Sequence, residues 1–347
     1  MNFNELWKIS YFHGMIDRHD AANLLKNNGE FLLRYKLKDE INVLIITSIQ
    51  NNQEKHFQIL YKNGKYFLDL NKQGFTKITE LIENQIQISK LNKSESEIIL
   101  TTPIKREDWE LAHHDLELRK ELGRGAFGVV RLGTLNKVSV AVKESFEDSL
   151  ELFKEGRIMK TLFHENIVNL IGITLDKYPI LLVTEYCPKG SLDEYLKKNP
   201  NLNNHTKFQF ILEAANGLNY LHENNVLHCD LASRNCLLCG DLKIKISDFG
   251  TSRLLPKNQD FITTTKGEKL AYKYLAPEVI LKKILSKKSD VWSFGVLCFE
   301  IFEVKQPYDD INDQEAITKI LSGQYLVFSK KNSKRFCYKY CCPYFYR

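Results

Sequence analysis

Eight consecutive residues, His228-Cys229-Asp230-Leu231-Ala232-Ser233-Arg234-Asn235, constrain this chain more than any other stretch. They put a carboxylate, a guanidinium and a carboxamide into a single loop. Asp230 can accept a hydroxyl proton, Arg234 can reach a transferring phosphate or the hydroxyl that attacks it, and Asn235 offers a hard oxygen to Mg²⁺. Alone, the cluster is weak evidence, because short polar loops are common.

Its weight comes from three partners in fixed order: Gly123-Arg124-Gly125-Ala126-Phe127-Gly128-Val129-Val130, then Val140-Ala141-Val142-Lys143, and downstream Asp248-Phe249-Gly250. A lone glycine-rich turn has many false positives. Four such motifs in this order resemble a protein kinase. The resemblance implies ATP and Mg²⁺ as cofactors. It casts Asp230 as base, Arg234 as a steadying cation, Lys143 as the phosphate ligand held by Glu155, and Asn235 and Asp248 as metal ligands. Gly123, Gly125, Phe127 and Gly128 would cover the phosphates, with Val130, Ala141, Thr184, Glu185, Cys187 and Leu237 around the nucleotide. Met159, Leu170, His228 and Phe249 supply the family's internal stack.

Ahead of these motifs, residues 11–101 resemble a Src-homology 2 (SH2) domain. Tyr11-Phe12-His13-Gly14 opens it, and Gly29-Glu30-Phe31-Leu32-Leu33-Arg34 is an apolar strand ending on a cation. An arginine on a buried strand is costly unless it meets an anion, and phosphotyrosine is one. Arg18, Lys36 and His56 complete the expected pocket; the alternative is a structural salt bridge for Arg34. A closing helix is expected from Phe75 to Ile82 and a last strand at 98–100. The family's Glu-Ser after the pocket arginine is Tyr35-Lys36 here, and its opening Trp is Tyr11.

The tyrosine-kinase form of the loop is Leu231-Ala232-Ser233-Arg234-Asn235. With the SH2 domain in front and Arg106-Glu107-Asp108-Trp109-Glu110-Leu111 as the join, the chain resembles the Fes/Fer family of non-receptor tyrosine kinases. Two departures are linked: the arginine before the catalytic aspartate is Cys229, and the activation-loop tyrosine aligns with Phe261. That arginine normally pairs with phosphate on that tyrosine. The loop is therefore expected to work without this phosphorylation, with Tyr272, Tyr274 and 263–265 as the remaining phosphate acceptors. Ala271 and Tyr274 stand where the family has Pro and Trp. Only twelve positions separate Lys143 from Glu155, so the helix over 150–162 is expected to sit inward.

A length of 347 allows about two domains, and 43% hydrophobic residues suffice for two cores. No apolar run is long enough to span a bilayer, and residues 1–30 carry no signal pattern. All eight cysteines follow residue 186 and are expected as reduced thiols, with metal ligation by Cys236 and Cys239 disfavoured for want of a second ligand pair. The formal charge of +6 matches six cations in residues 330–347, so a nucleic-acid role would rest on that tail alone.

The expected architecture is α+β: an SH2 domain (central antiparallel sheet flanked by two helices) over 11–101, a linker over 102–115, and a bilobal kinase fold over 116–325 with a β-rich N-lobe and a helical C-lobe. A divergent basic tail follows over 326–347. The last kinase helices, and the arginine that would pair with Glu278, are missing from the pattern. Leaving Glu278 buried and unpaired would cost about 3–5 kcal/mol. The expected function is transfer of the ATP γ-phosphate to protein tyrosine. Recruitment would be through tyrosine-phosphorylated partners, in the cytoplasm and at the inner face of the plasma membrane by peripheral association. The alternative is a phosphotyrosine-binding adaptor with an inactive kinase domain.

Overall fold

A computed structural model of the chain describes residues 3–38, 41–91, 98–125, 128–146, 149–264 and 271–329. Phe127, Thr265 and the basic stretch 330–347 lie outside them. Two compact units are present: Met1–Val138 with Val142–Ser149 and Ile171–Val183, and Ser139–Ala141 with Leu150–Leu170 and Thr184–Arg347.

The first unit opens with α1 (Phe3–Trp7) and α2 (Arg18–Asn23). Asp17 caps α2 by accepting the Asp20 amide at 2.9 Å, which satisfies one of the donors a helix start leaves over. An antiparallel meander follows: β1 (Glu30–Lys38), β2 (Ile41–Gln50), β3 (Gln53–Lys62) and β4 (Lys65–Phe67). Asn51-Asn52 and Asn63-Gly64, all at positive φ, make its tight turns. Interior strand β1 is buried on both faces, from Phe31 through Tyr35. Helix α2 packs on β2, and α3 (Ile78–Leu91) packs on β4 while burying Ile78, Leu81 and Ile82.

The closing strand is not where the sequence suggests. Residues 98–100 are irregular, and β5 (Thr102–Pro103) pairs parallel with β1 instead. Polar side chains take the backbone groups a strand would use: Ser89 Oγ accepts the Leu100 amide at 3.0 Å, while Ser48 and Gln85 donate to the carbonyls of Ile99 and Ile98.

A six-stranded sheet comes next, built from β6 (Glu110–Leu111), β7 (Leu116–Arg124), β8 (Gly128–Leu135), β9 (Val138–Ser145), β10 (Leu170–Thr174) and β11 (Leu181–Glu185) in the order β6-β10-β11-β9-β8-β7. The short linker strand β6 joins it in parallel with β10, and the Ile173 and Leu175 amides donate to the carbonyls of Trp109 and Leu111.

The second unit is mainly helical. It holds α4 (Ser149–Met159), α5 (Leu192–Lys198) and α6 (Asn204–Glu223), then the short strands β12 (Val226–Leu227), β13 (Cys236–Leu238), β14 (Ile244–Ile246), β15 (Arg253–Leu254) and β16 (Phe261–Thr263). After these come α7 (Pro277–Lys282), β17 (Ile284–Ser286), α8 (Lys287–Glu303) and α9 (Asp313–Leu321). Ser191, Asn203, Ser286 and Asn312 cap α5, α6, α8 and α9 through side-chain oxygens. Helix α8 is apolar nearly all round and buries Val296 through Phe302, as a central helix must.

Residues 326–329, expected to begin a divergent tail, pack on this helical body. Leu326 joins the cluster of Tyr308, Ala316 and Ile320, and the Phe328 ring stands edge-on to Phe299 and Phe302 at 5.8 and 6.4 Å. Glu278 is only partly buried, and among the described residues no ion pair involves it. The penalty expected for a buried orphan carboxylate does not apply at a half-wetted site.

Candidate active site and phosphotyrosine pocket

The catalytic-loop residues converge. Asn235 Nδ2 donates to the Asp230 carbonyl at 2.7 Å and to Asp230 Oδ2 at 2.9 Å, while Arg234 holds the other carboxylate oxygen. Spending both amide hydrogens on Asp230 leaves the Asn235 carbonyl oxygen, a hard donor of the kind Mg²⁺ takes. Asp248 is exposed and sits at φ 61°, ψ 77°, a left-handed conformation that costs a non-glycine residue about 1 kcal/mol or more. Donor chemistry at this end of the loop therefore fits a divalent metal.

Asp290, near the start of α8, braces the loop from beneath. Its Oδ2 accepts the His228 amide at 2.8 Å and His222 Nε2 at 3.0 Å, and its Oδ1 accepts the Cys229 amide at 2.9 Å. His228 meets the Ser247 carbonyl through Nε2 at 3.0 Å and the Phe249 ring edge-on at 5.5 Å. Of the four residues expected to stack, Met159, His228 and Phe249 are buried and Leu170 is partly buried.

A second brace was not legible in the motifs. Glu300 of α8 accepts the Ser233 amide at 2.8 Å and its hydroxyl at 2.7 Å, and Tyr274 Oη lies 2.8 Å from the same carboxylate and 2.9 Å from Gln306 Oε1. Arg234 lies 4.6 Å over the Tyr274 ring. Burial raises the Glu300 carboxyl above the ordinary range, opposed by the hydrogen bonds from Ser233 and Tyr274. The only sequence signal was a tyrosine in place of tryptophan at 274.

Cys229, at φ 66°, packs beside an apolar cluster of Leu227, Leu255, Leu275, Ala276, Val279 and Leu285. Phe261 is half exposed on β16, whose ladder with β17 pairs Phe261 with Ser286, Ile262 with Leu285 and Thr263 with Ile284. The Thr264 amide then donates to the Lys283 carbonyl at 2.9 Å.

Among the glycines expected over phosphates, two roles separate. A Cβ at Gly123 or Gly125 would meet nothing within 4 Å, so their backbones border open space. A Cβ at Gly128 would lie 2.1 Å from the Glu144 carbonyl oxygen, so that glycine is needed for strand packing. Val130, Ala141, Lys143, Thr184, Glu185 and Leu237 are partly buried, and Cys187 and Glu155 are buried. Glu185 accepts the Asn169 amide at 2.7 Å and pairs with Lys245 at 2.9 Å.

In the first unit, Arg34 is 4% exposed and donates Nε to Thr47 Oγ1 at 3.0 Å; Thr47 in turn meets His56 Nδ1 at 3.0 Å. Thr47 was not anticipated, although it lies directly across the ladder from His56. Among the described residues the side-chain partner of Arg34 is the Thr47 hydroxyl, not a carboxylate. Burial holds the Arg34 guanidinium below its usual range, with Asp17 opposing and Arg18 adding to the effect. His56 is likewise lowered by burial, then by Arg18 and Arg34. The cations Arg18, Arg34 and His56 thus gather here, with Asp17 and Glu54 as the carboxylates that act on them. Lys36, two positions along β1, is exposed on the same face.

The back of that sheet is tied to the β10–β11 loop. A Cβ at Gly14 would sit 1.9 Å from the Leu175 carbonyl oxygen, to which the Met15 amide donates at 2.8 Å. His13, fully buried, meets the Glu110 carboxylate through Nδ1 at 2.8 Å and the Ile104 carbonyl through Nε2 at 2.9 Å. Arg106 donates to the carbonyls of Trp7, Ile9 and Phe12 and lies 4.1 Å over the Trp7 ring.

Fold and site thus define a protein kinase joined to an SH2 domain. The family model for protein tyrosine and serine/threonine kinases matches residues 116–340, and the SH2 model matches residues 11–85. Fer-related kinase 1 of Caenorhabditis elegans is 35% identical over 335 residues, covering 93% of this chain and 84% of that protein. Tyrosine-protein kinase Fer of Homo sapiens is 35% identical over 323 residues, 90% of this chain and 39% of its own length. The transforming protein Fps of avian sarcoma virus (strain PRCII) is 34% identical over 329 residues, 92% of this chain and 60% of its own length. The chain belongs to the Fer/Fes family of non-receptor tyrosine-protein kinases. That membership brings ATP and a divalent metal as cofactors in general, phosphotyrosine proteins as partners of the SH2 domain, and proteins as substrates. Among the described residues no helix is long and apolar enough to cross a membrane.

Proposed function

We infer that this chain phosphorylates protein tyrosine using Mg²⁺-ATP, is recruited by phosphotyrosine through Arg34, and does not depend on a phosphate on its activation loop. One observation carries the last point: beside the candidate base Asp230, a neutral Cys229 packs on an apolar cluster where a phosphate-binding arginine would stand. The β16–β17 ladder supplies the order that a phosphate contact supplies elsewhere.

The geometry supports the following reading of the residue roles. Asp230, oriented by Asn235 and Arg234, faces the tyrosine hydroxyl and takes its proton. Arg234, steadied over Tyr274, keeps its charge next to the transfer. Asn235 and Asp248 are the metal ligands, and a bound Mg²⁺ supplies charge neutralisation at the phosphates. Lys143 is the phosphate ligand and Glu155 its partner, as the family resemblance implies, and the open backbones of Gly123 and Gly125 suit a phosphate cover. Arg18, Arg34, Lys36 and His56, with Thr47, bind the phosphotyrosine. Where that partner lies at the inner face of the plasma membrane, the chain is carried there. The contacts of Gly14, Met15 and His13 with Leu175 and Glu110 favour an SH2 domain that supports the kinase sheet.

The test pairs binding with turnover. The full chain should bind a phosphotyrosine peptide and phosphorylate a poly-Glu/Tyr polymer, Arg34→Ala should lose the first, and Lys143→Met the second. Folded protein that binds the peptide but leaves the polymer unlabelled would overturn the catalytic reading in favour of an adaptor.

A further inference from the structure

Two thiols outside the chemistry above face each other in the second unit. Cys187 Sγ, on the stretch after β11, lies 3.7 Å from Cys239 Sγ, on the turn between β13 and β14. Backbone pairing clamps the two stretches side by side: the Lys189 amide donates to the Leu238 carbonyl at 3.2 Å, the Leu238 amide to the Gly190 carbonyl at 2.9 Å, and Ser191 bridges to Leu237. The Cys239 turn is itself closed by the Cys239 amide on the Lys243 carbonyl at 3.0 Å. Among the described residues no group of three or more metal-ligating side chains gathers, so two sulfurs without further donors do not make a zinc site.

We propose that Cys187 and Cys239 form a reversible oxidation site, a dithiol that hydrogen peroxide closes to a disulfide, weakening nucleotide binding at the adjoining hinge. The consequence for nucleotide rests on the kinase reading above, which places Cys187, and Leu237 two residues before Cys239, around the nucleotide. Cys239 is the entry point, because it is half-buried whereas Cys187 is 5% exposed. Burial raises both thiols, Cys187 the more, and the nearby Lys245 favours a Cys239 thiolate. The reaction is therefore slow beside that of a low-pKa thiol, but it is directed.

The chemistry balances. The Cys239 sulfur attacks one peroxide oxygen, the O–O bond breaks, and the products are a sulfenic acid and water. The Cys187 sulfur then attacks the Cys239 sulfur, displacing a second water. Two thiols lose two protons and two electrons, and peroxide takes up both. Because a disulfide bond is about 2.05 Å long, the sulfurs must close by about 1.7 Å, pulling the hinge against the β13–β14 turn.

The test uses the full chain, reduced with dithiothreitol or oxidised with hydrogen peroxide, beside Cys239→Ser. Non-reducing peptide mapping should find the Cys187 and Cys239 peptides linked and lighter by about 2 Da in oxidised wild type. The dissociation constant of a fluorescent ATP analogue should rise about fivefold on oxidation, the worth of one strained hydrogen bond, and recover on reduction. Reduced Cys239→Ser should bind as wild type does and ignore peroxide. No linked peptide in oxidised wild type, or the same rise in Cys239→Ser, overturns the proposal. Reduced protein that binds no nucleotide while the linked peptide forms would count against the kinase reading and leave the dithiol standing.

Discussion

Tyr35, the residue after the pocket arginine on β1, donates its phenol hydrogen to the carbonyl oxygen of Asp176 in the β10–β11 loop, at 3.1 Å. Alternation along a strand sends Arg34 and Tyr35 to opposite faces, so one strand carries the proposed phosphotyrosine pocket on one side and a tie to the kinase sheet on the other. Tyr35→Phe keeps the ring and drops the tie. It should lower unfolding free energy in urea by about 1 kcal/mol, because a buried carbonyl loses its donor. Phosphopeptide affinity, read by fluorescence polarisation, should stay within about twofold, since the phenol does not face the pocket.

His13 and Glu110 are a buried pair, the first near the start of the SH2 stretch and the second on the linker strand β6. Removing one partner strands the other away from water. Glu110→Ala should destabilise the chain by about 3–5 kcal/mol in denaturant titration. His13→Leu with Glu110→Leu should cost clearly less, since neither polar group is then left unmatched.

Asp176 gives a pH signature. Burial raises its carboxyl, but the hydrogen bonds and charge of His113 outweigh that and hold it below the usual 3.8. A carboxyl depressed in the folded state adds stability that is complete above the ordinary value and lost as pH falls through the folded one. Wild type should therefore lose more stability than Asp176→Asn between about pH 4 and pH 2. Equal acid sensitivity in denaturant titrations at both pH values would remove Asp176 from this role.

These ties show where sequence reading stops. Arg34, Asp230, Arg234 and Asn235 could be singled out because they stand in short motifs with fixed spacing. Thr47, Glu300 and the Tyr35–Asp176 bond could not, since each partner is set by tertiary packing across 13, 67 and 141 positions. The strand expected at 98–100 failed for a local reason, the capture of its backbone by Ser89, Ser48 and Gln85. The helix expected from Phe75 to Ile82 runs instead from Ile78 to Leu91, and α6 starts at Asn204 because Asn203 is its cap.

The Glu300 brace should act on catalysis more than on ATP binding. Glu300→Gln keeps an acceptor for Ser233, whereas Glu300→Ala strands the Ser233 amide and hydroxyl, while Tyr274 keeps Gln306. Glu300→Ala should lower kcat about tenfold or more with the ATP KM little changed, the pattern of a loop that binds but no longer orients. Glu300→Gln should recover most of that loss; equal damage from both would mean that charge, not hydrogen bonding, is what the loop needs.

The central claim is that this kinase works without a phosphate on its activation loop. The direct measurement is the initial rate of poly-Glu/Tyr phosphorylation by the full chain after exhaustive phosphatase treatment, with mock-treated protein and Lys143→Met alongside. The account predicts equal rates for treated and mock-treated protein and none for Lys143→Met. A rate that collapses on phosphatase treatment and returns on preincubation with ATP would contradict it.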